Sequence, residues 1–268
     1  MPYIKSQSGI KWFYRSLGHG KPLVFIHGWA ADSSFWQYQQ DFFKRRFRVV
    51  VLDLPGHGRS EWKKTDLKTI AKDINHILQA LKVTKTTVIG SSLGGLVALK
   101  LISLFPQRIE QLVLVGSNAK FAKAKGYTFG LTKKQIRDLY QMLDKSFIEM
   151  LEVFFRTLFT YEERKTGGFP RVWSLIRQRK HQPNKEALKA LLLLLEKEDV
   201  RADLKKITAR SLIINGKKDY IASPGSSHYL KKKIKKARLE ILEDCGHIPF
   251  MTQPQTFNQI VNNFLYND

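Results

Sequence analysis

Short continuous runs of apolar residues alternate along this chain with longer segments in which apolar residues recur at helical spacing. The runs occupy residues 22–26, 48–53, 86–89, 109–116, 210–215 and 238–242. Such runs are typical of strands buried on both faces of a sheet. Segments of helical spacing at 34–46, 66–81, 95–105 and 253–265 separate or follow them. Because strands that alternate with helices form parallel sheets, we predict an α/β fold with a mostly parallel central sheet and helices on both faces.

Two segments depart from this alternation. Residues 3–15 alternate loosely between apolar and polar positions, which predicts a short antiparallel hairpin before the first buried strand. Residues 119–200 carry no strand pattern and predict helices over 133–143, 146–159, 170–180 and 184–197. The chain therefore divides into a first core part at 1–118, an inserted helical cap at 119–200 and a second core part at 201–268.

Length and composition limit the classes of protein that fit. The chain has 268 residues, enough for one large core with an inserted cap. No apolar run approaches the roughly 18 residues needed to span a membrane, and the N-terminus lacks a signal-peptide pattern. Cys245 is the single cysteine, so we expect a structural role for it, with no intrachain disulfide. These features favour a cytoplasmic protein without membrane association.

The formal net charge of +23 implies a strong positive field around the molecule. Lys and Arg outnumber Asp and Glu by 17 to 7 in 1–118, by 17 to 10 in 119–200 and by 12 to 6 in 201–268. The densest cluster, 231–236, has no interleaved aromatic residues of the kind that single-strand binders use, and we interpret it as a solvated helix end. No nucleic-acid partner is expected. The excess positive charge indicates either an acidic macromolecular partner or a compositional bias of the source organism.

A strand pattern, a G-x-S-x-G pentapeptide and a helix pattern follow one another between residues 86 and 104. In such a turn the serine is held in a strained conformation, and glycines beside it avoid collisions with the strand and the helix. Ser92 is therefore the candidate nucleophile. The alternative is a small-residue loop without chemistry, and the choice depends on partners elsewhere in the chain.

A serine hydroxyl is a weak nucleophile and needs a base, and the base needs a carboxylate to orient it. Asp219 follows the strand at 210–215, and His247 follows the strand at 238–242. Active residues of such sheets lie at the carboxyl ends of the strands. We therefore predict that Ser92, Asp219 and His247 form a catalytic triad, against the alternatives of a turn aspartate and a loop histidine. The remaining histidines show no metal-ligand spacing, and the triad needs no cofactor, so no metal and no cofactor are expected.

Four motifs resemble those of proteins with the α/β-hydrolase fold, and the resemblance extends over nearly the whole chain. The motifs are residues 27–29, 53–60, 90–98 and 246–250. Trp29 after His-Gly and the Ser-Leu-Gly-Gly-Leu-Val-Ala run are most similar to the pimeloyl-acyl-carrier-protein methyl ester carboxylesterases of biotin synthesis. The order Ser92, Asp219, His247 is the order of that fold. Asn118 occupies the other position where an acid can sit, and as an amide it favours Asp219. Asp53 and His57 form a tight turn that we interpret as structural.

The resemblance implies further site residues. The oxyanion donors would be the backbone amides of Trp29 and Leu93. The side chains of Trp29, Leu93 and a cap phenylalanine would line the acyl pocket, the last being Phe154 or its neighbour Phe155. Members of the family dock an acidic acyl carrier protein through basic cap residues. The basic residues of this cap are Arg156, Arg164, Arg171, Arg177, Arg179 and Lys180.

The sequence thus leads to a serine carboxylesterase that hydrolyses a methyl ester, with a small-molecule or carrier-linked acyl substrate. A general short-chain esterase or lactonase without a carrier partner remains an alternative. A hydrolase-fold binding protein without catalysis is a third, which the apparent triad disfavours. We expect a monomer.

Overall fold

The computed structural model describes residues 2–266, and within them eight strands form one sheet. The strands are β1 (Tyr3–Lys5), β2 (Lys11–Leu17), β3 (Pro22–Ile26), β4 (Arg48–Leu52), β5 (Thr86–Ser91), β6 (Ile109–Val115), β7 (Arg210–Gly216) and β8 (Ala237–Leu242). The apolar positions of β3, β4 and β5 are almost fully buried, as their continuous apolar runs predict.

The sheet order is β1-β2-β4-β3-β5-β6-β7-β8. Strands β1 and β2 pair antiparallel, and β2 also runs antiparallel to β4, whereas all pairings from β4 to β8 are parallel. The chain leaves β3 toward β4 on one side and returns to β5 on the other. Ligands bind at such a reversal, beyond the carboxyl ends of the strands. The crevice therefore lies between the ends of β3 and β5.

Eleven helices accompany the sheet in the described part of the chain. They are α1 (Gln37–Phe43), α2 (Leu67–Ala80), α3 (Leu93–Leu104), α4 (Lys133–Lys145), α5 (Phe147–Thr157), α6 (Tyr161–Lys165), α7 (Gly168–Arg177), α8 (Lys185–Lys197), α9 (Pro224–Lys233), α10 (Pro249–Thr252) and α11 (Pro254–Tyr266). Helix α2 packs against α3, and α1 packs against α11. This arrangement confirms the predicted α/β-hydrolase fold.

Several predicted boundaries were wrong. The helix predicted at 34–46 begins as a 3-10 turn over Ser33–Trp36, because Asp32 caps that turn, and continues as α1 only to Phe43. The helix predicted at 170–180 is α7, which starts at Gly168 and ends at Arg177, where the chain turns and carries Arg179 inward. Helix α6 was not predicted, although Thr160 and Glu163 form a capping box at its start.

Helices α4 to α8 follow β6 and precede β7 in the sequence, and we refer to them as the insert helices. Their apolar residues join the same buried cluster as the sheet, including Leu151, Phe155 and Leu191. Each such side chain contributes about 1.5–3 kcal/mol when it leaves water. Among residues 2–266 no helix is long and apolar enough to cross a membrane.

Candidate active site

Ser92 lies between the end of β5 and the start of α3, with φ 54° and ψ −117°. A positive φ is strained for a residue with a side chain, and strain of this kind is found at functional positions. The turn is held by its backbone, because the Ser92 amide donates to Val115 O at 2.9 Å and Ser92 O accepts from Gly95 N at 2.9 Å. The strand and helix thus fix the serine at the crevice.

Close backbone packing explains the glycine at position 94 in the same turn. A Cβ atom there would collide with the carbonyl groups of Ile26 and His27 at the end of β3. Glycine therefore lets the first turn of α3 lie directly against β3. This contact brings Ser92 next to the loop that follows β3.

His247 and Asp219 form a buried pair at the carboxyl ends of the neighbouring strands β7 and β8. Asp219 Oδ2 lies 2.7 Å from His247 Nδ1, and the side chains are 0% and 2% exposed, respectively. Asp219 Oδ1 accepts from the amides of Ile221 at 2.8 Å and Ala222 at 2.9 Å. With both carboxylate oxygens occupied, Asp219 is fixed in position and holds Nδ1 of His247 as the protonated nitrogen.

Nε2 of His247 is buried and has no hydrogen-bond partner among the described residues. His247 and Ser92 line one cavity. A base that can accept the proton of Ser92 needs this nitrogen free and directed into the shared space. The structure thus pairs His247 with Asp219 and brings His247 and Ser92 to the same cavity.

The cavity at Ser92 is narrow and apolar. Its volume is about 20 Å³, enough for about one water molecule. Its apolar lining is Trp29, Ala31, Phe35, Phe154, Phe155, Leu158, Ile248 and Phe250. The rings of Trp29 and Phe154 meet edge to face at a centroid distance of 4.7 Å. An acyl chain of several carbons therefore requires movement of these side chains.

Trp29, Phe154 and Phe155 lie where the sequence resemblance put them, in the wall of the cavity. Trp29 is held by a hydrogen bond from its Nε1 to Leu188 O of α8, at 2.9 Å. The side chain of Leu93 differs, because it is completely buried and does not line the cavity. The prediction that the Leu93 side chain lines the acyl pocket therefore does not match the structure. Only the backbone amide of Leu93 remains a candidate for oxyanion binding.

The loop after β3 approaches the serine closely. A Cβ atom at Gly28 would lie 3.2 Å from Ser92 Cβ, so a side chain at this position would press on the nucleophile. No acceptor among residues 2–266 takes up the amide of Trp29 or of Leu93. Both amides are therefore available as donors to an oxyanion formed at Ser92.

Two buried histidines hold this loop on either side of Trp29. Leu54 N donates to His27 Nε2 at 2.9 Å, so the proton lies on Nδ1, which donates to Gly28 O at 2.8 Å. Ala30 N donates to His57 Nε2 at 3.1 Å, so Nδ1 of His57 donates to Pro55 O at 3.1 Å. The peptide groups before and after Trp29 are thereby fixed.

Burial keeps both histidines neutral. Burial, and after it the neighbouring His27, lower the pKa of His57 to about 3, and burial also lowers the pKa of His27. Asp53, whose pKa is raised by burial, accepts from the amides of Ser33 at 2.8 Å and Arg59 at 2.9 Å. Asp53 and His57 thus act on the loops around the site through backbone groups, in keeping with the structural role expected of them.

The sequence reasoning missed Glu163 of α6. Its Oε2 accepts from Gly246 N at 3.2 Å and from Thr160 N at 2.8 Å. His247 N itself donates to Leu158 O at 2.8 Å. The insert helices are thus hydrogen-bonded to the loop that carries His247. The capping-box spacing of Thr160 and Glu163 was a signal for helix α6, but nothing in it indicates the contact with Gly246.

The cavity residues Phe35, Leu158, Ile248 and Phe250 were also not predicted. Ile248 and Phe250 follow His247 closely in sequence, and this proximity could have identified them. Phe35 and Leu158 reach the cavity only through packing, with Phe35 against Phe155 at a ring distance of 5.6 Å. No sequence pattern marks such contacts.

Other residues singled out in the sequence take no part in the cavity. Asn118 is completely buried, and neither polar atom of its side chain has a partner in the described chain. Cys245 is buried, and burial raises the pKa of its thiol to about 12, which makes it a poor nucleophile at neutral pH. Within residues 2–266 no group of three or more His, Cys, Asp or Glu side chains could hold a metal ion.

The basic residues of the insert fall into three groups. The side chains of Arg164, Arg171, Arg177 and Lys180 have no hydrogen-bonded or ionic partner among residues 2–266. Arg156 pairs with Glu152 at 3.0 Å. Arg179 is 6% exposed and pairs with Asp32 at 3.3 Å, so it cannot contribute to an outer docking surface.

Comparisons with known proteins agree with this geometry. The family model for the alpha/beta hydrolase fold matches residues 21–254. A pimeloyl-[acyl-carrier protein] methyl ester esterase from Nitrosomonas europaea is 31% identical, over 90% of this chain and 94% of its own. The AB hydrolase superfamily protein YisY of Bacillus subtilis is 28% identical over 98% of both chains. An esterase from Exiguobacterium antarcticum superposes with a TM-score of 0.89, at 28% identity over 98% of each chain.

The chain belongs to the alpha/beta hydrolase family. It is therefore a hydrolase, and its esterase relatives extend over nearly its whole length.

Proposed function

We propose that the protein is a serine carboxylesterase that hydrolyses a carboxylic methyl ester through an acyl-enzyme on Ser92. The observation that carries the proposal is the arrangement of three residues. A strained serine and a histidine line one cavity, and the histidine is bonded at 2.7 Å to a buried aspartate. Our preferred substrate is the methyl ester of a pimeloyl group on an acyl carrier protein, as in biotin biosynthesis.

The chemistry follows from the roles available to these residues. His247 Nε2 takes the proton of Ser92 as Oγ attacks the ester carbonyl, and the imidazolium is stabilised by Asp219. The amides of Trp29 and Leu93 donate to the oxyanion. His247 then gives its proton to the departing methoxide, which leaves as methanol. Water, deprotonated by His247, attacks the acyl-enzyme and releases the carboxylic acid and Ser92.

The apolar cavity supports an aliphatic acyl group. Its wall is made mostly of aromatic and aliphatic side chains, and its polar lining residues are Ser91, Ser92 and His247. Each methylene of an acyl chain that enters such a wall gains about 0.8 kcal/mol. Because the cavity has a volume of about 20 Å³, we infer that substrate binding displaces the Phe154 ring from Trp29.

The carrier-protein partner is supported by the named relatives and by charge. Acyl carrier proteins are acidic, and this protein has a formal net charge of +23. Three exposed basic residues of the insert, Arg171, Arg177 and Lys180, have side chains without a hydrogen-bonded or ionic partner in the described chain. Such charges increase the rate of encounter with an acidic partner more than they tighten the complex.

The first experiment is methyl-ester hydrolysis of pimeloyl-carrier protein by the wild type and by Ser92→Ala, beside p-nitrophenyl butyrate. We expect activity on both substrates in the wild type and none in the variant. Activity on the small ester alone would retain the triad and discard the carrier substrate. Activity that persists in Ser92→Ala would remove Ser92 as the nucleophile.

A salt series tests the carrier partner separately. We expect kcat/KM on the carrier-linked ester to fall steeply with salt, while kcat/KM on the small neutral ester hardly changes. At low salt Arg171→Gln with Arg177→Gln should lower kcat/KM for the carrier substrate about three- to tenfold. The matched control, Lys231→Gln with Lys232→Gln, removes the same charge from α9. Equal loss in both double variants would contradict docking at the insert.

A general short-chain esterase or lactonase without a carrier partner is the second candidate. The small volume of the cavity favours it, since an acetyl or butyryl group needs less displacement than a seven-carbon chain. Rates on p-nitrophenyl esters far above those on the carrier-linked ester would establish it. A non-catalytic binding protein is a third candidate, and it would fail to react with a fluorophosphonate probe at Ser92.

A further inference from the structure

A second cavity lies outside the catalytic one, where the insert meets the core. It has a volume of about 620 Å³, within the range of small-molecule sites. Asp32 and Arg179 line it together with Arg15, Arg59 and Lys180. Residues Ala31 and Phe35 line the Ser92 cavity, whereas Asp32, Ser33 and Ser34 line this one. One loop therefore separates the two spaces.

The two carboxylates of this cavity are already occupied. Asp32 Oδ1 accepts from Ser34 N at 2.8 Å, and Asp32 Oδ2 lies 3.3 Å from Arg179 Nη1. Asp53 accepts from the amides of Ser33 and Arg59. Both acids therefore lower the charge of the space, but neither forms an ion pair with Arg15, Arg59 or Lys180.

The cations, in contrast, have free donors. Arg15, Arg59 and Lys180 are exposed, and within residues 2–266 no hydrogen bond or ion pair joins their side chains to an acceptor. Four permanently cationic side chains face two carboxylates, which leaves a net charge of two positive. That charge matches a dianion, such as a phosphate monoester above its second pKa of about 6.

Arg179 supplies the buried part of the site. Its side chain is 6% exposed, and Nη1 donates to Ala30 O at 2.9 Å. Nη2 is buried without a partner in the described chain, which is costly for a charged donor. The guanidinium stands over the rings of Phe35 and Phe155 at 5.7 and 5.8 Å, so it forms the wall between the two cavities.

We propose that this cavity is a binding site for a phosphate group. Arg179 would bind it from the buried side, and Arg15, Arg59 and Lys180 would bind it from the open side. A phosphate offers three acceptor oxygens to donors on both sides, while a carboxylate offers two oxygens and one charge. The site is separate from the esterase chemistry and does not depend on the proposed substrate.

Isothermal titration calorimetry tests the proposal with inorganic phosphate, adenosine 5′-monophosphate, adenosine and glutarate, in a chloride buffer of fixed ionic strength. We expect both phosphates to bind and adenosine not to bind. Tighter binding of the nucleotide would assign the site to organic phosphates, and equal affinity would assign it to free phosphate. Binding of adenosine equal to that of the nucleotide, or glutarate binding tighter than phosphate, would overturn the proposal.

Matched variants separate this site from the general positive field. Arg15→Gln with Lys180→Gln removes two exposed donors and should weaken phosphate binding at least about tenfold, the effect of losing one or two charge-assisted hydrogen bonds. Lys231→Gln with Lys232→Gln removes the same charge elsewhere and should change the affinity less than about twofold. Equal weakening in the two variants would overturn the proposal. Arg179→Lys keeps the buried charge but replaces the guanidinium by a single ammonium nitrogen. This variant should therefore also weaken phosphate binding.

Discussion

Acid should destabilise this protein through His27 and His57, the two histidines that hold the loop after β3. His57 gives the clearest test. In the folded state burial lowers the pKa of His57 to about 3, from an ordinary value of 6.5. The unfolded chain therefore takes up a proton first, and stability falls as the pH drops from 6.5 toward 3. At pH 5 the loss from His57 is RT ln(1 + 10^1.5), about 2 kcal/mol. This is a large part of the 5–15 kcal/mol that is typical of folded domains.

Urea unfolding at a series of pH values measures this loss. His57→Gln removes the titrating group, and the Gln carbonyl oxygen can still accept from Ala30 N. We expect the wild type to lose about 2 kcal/mol more than His57→Gln between pH 7.5 and pH 5. Taking the difference between the two proteins removes the titrations that both share and leaves that of His57 with its coupling to His27. His19→Gln, at an exposed histidine, serves as the matched control and should follow the wild type.

Two results would refute the reasoning about His57. One is a pH dependence of the unfolding free energy that is parallel in the wild type and His57→Gln. The other is a loss in His57→Gln that equals or exceeds that of the wild type at pH 5. Either result would mean that His57 is protonated in the folded state, and that the bond from Ala30 N to its Nε2 does not persist.

Three further predictions concern catalysis on a p-nitrophenyl ester. Asp219→Asn should lower kcat about 10³- to 10⁴-fold, because the amide favours the wrong tautomer of His247; a kcat within tenfold of the wild type would contradict the triad. Glu163→Ala should lower kcat more than it changes KM, since the amide of Gly246 loses its acceptor, and Glu163→Gln should restore part of the loss. Phe154→Ala should raise kcat/KM for octanoyl relative to acetyl esters, by up to about fourfold for each methylene that the enlarged cavity buries.

The sheet and the turn at Ser92 could be predicted because their signals are local. A continuous apolar run, a small-residue turn and a helix pattern are read from adjacent residues, and they correspond to β5, the strained turn and α3. The positions of Asp219 and His247 required only one further rule, that the carboxyl ends of parallel strands meet at the same edge. These inferences did not depend on how helices pack.

The wall of the cavity could not be predicted in the same way. Helix α5 has a continuous apolar face, and the pattern alone does not distinguish Phe154 beside Trp29 from a phenylalanine in the general core. The orientation of the insert on the sheet decides this. Arg179 illustrates the same limit, because an arginine in a basic segment is expected at the surface, yet it turns inward to Asp32.

The insert helices have two structural roles that cannot be separated. Helix α5 supplies Phe154 and Phe155, which close the cavity over Ser92, while Leu158 O and Glu163 hold the backbone of Gly246 and His247. The cavity must widen to admit an acyl chain, so the ring of Phe154 moves or the helix moves. A rigid displacement of α5 and α6 would break the hydrogen bonds from the loop of Gly246 and His247 to Leu158 O and Glu163. His247 would then move out of position for catalysis. We therefore infer that substrate enters by side-chain rotation at Phe154 while α6 stays in place, so that widening the acyl pocket leaves His247 in position for catalysis.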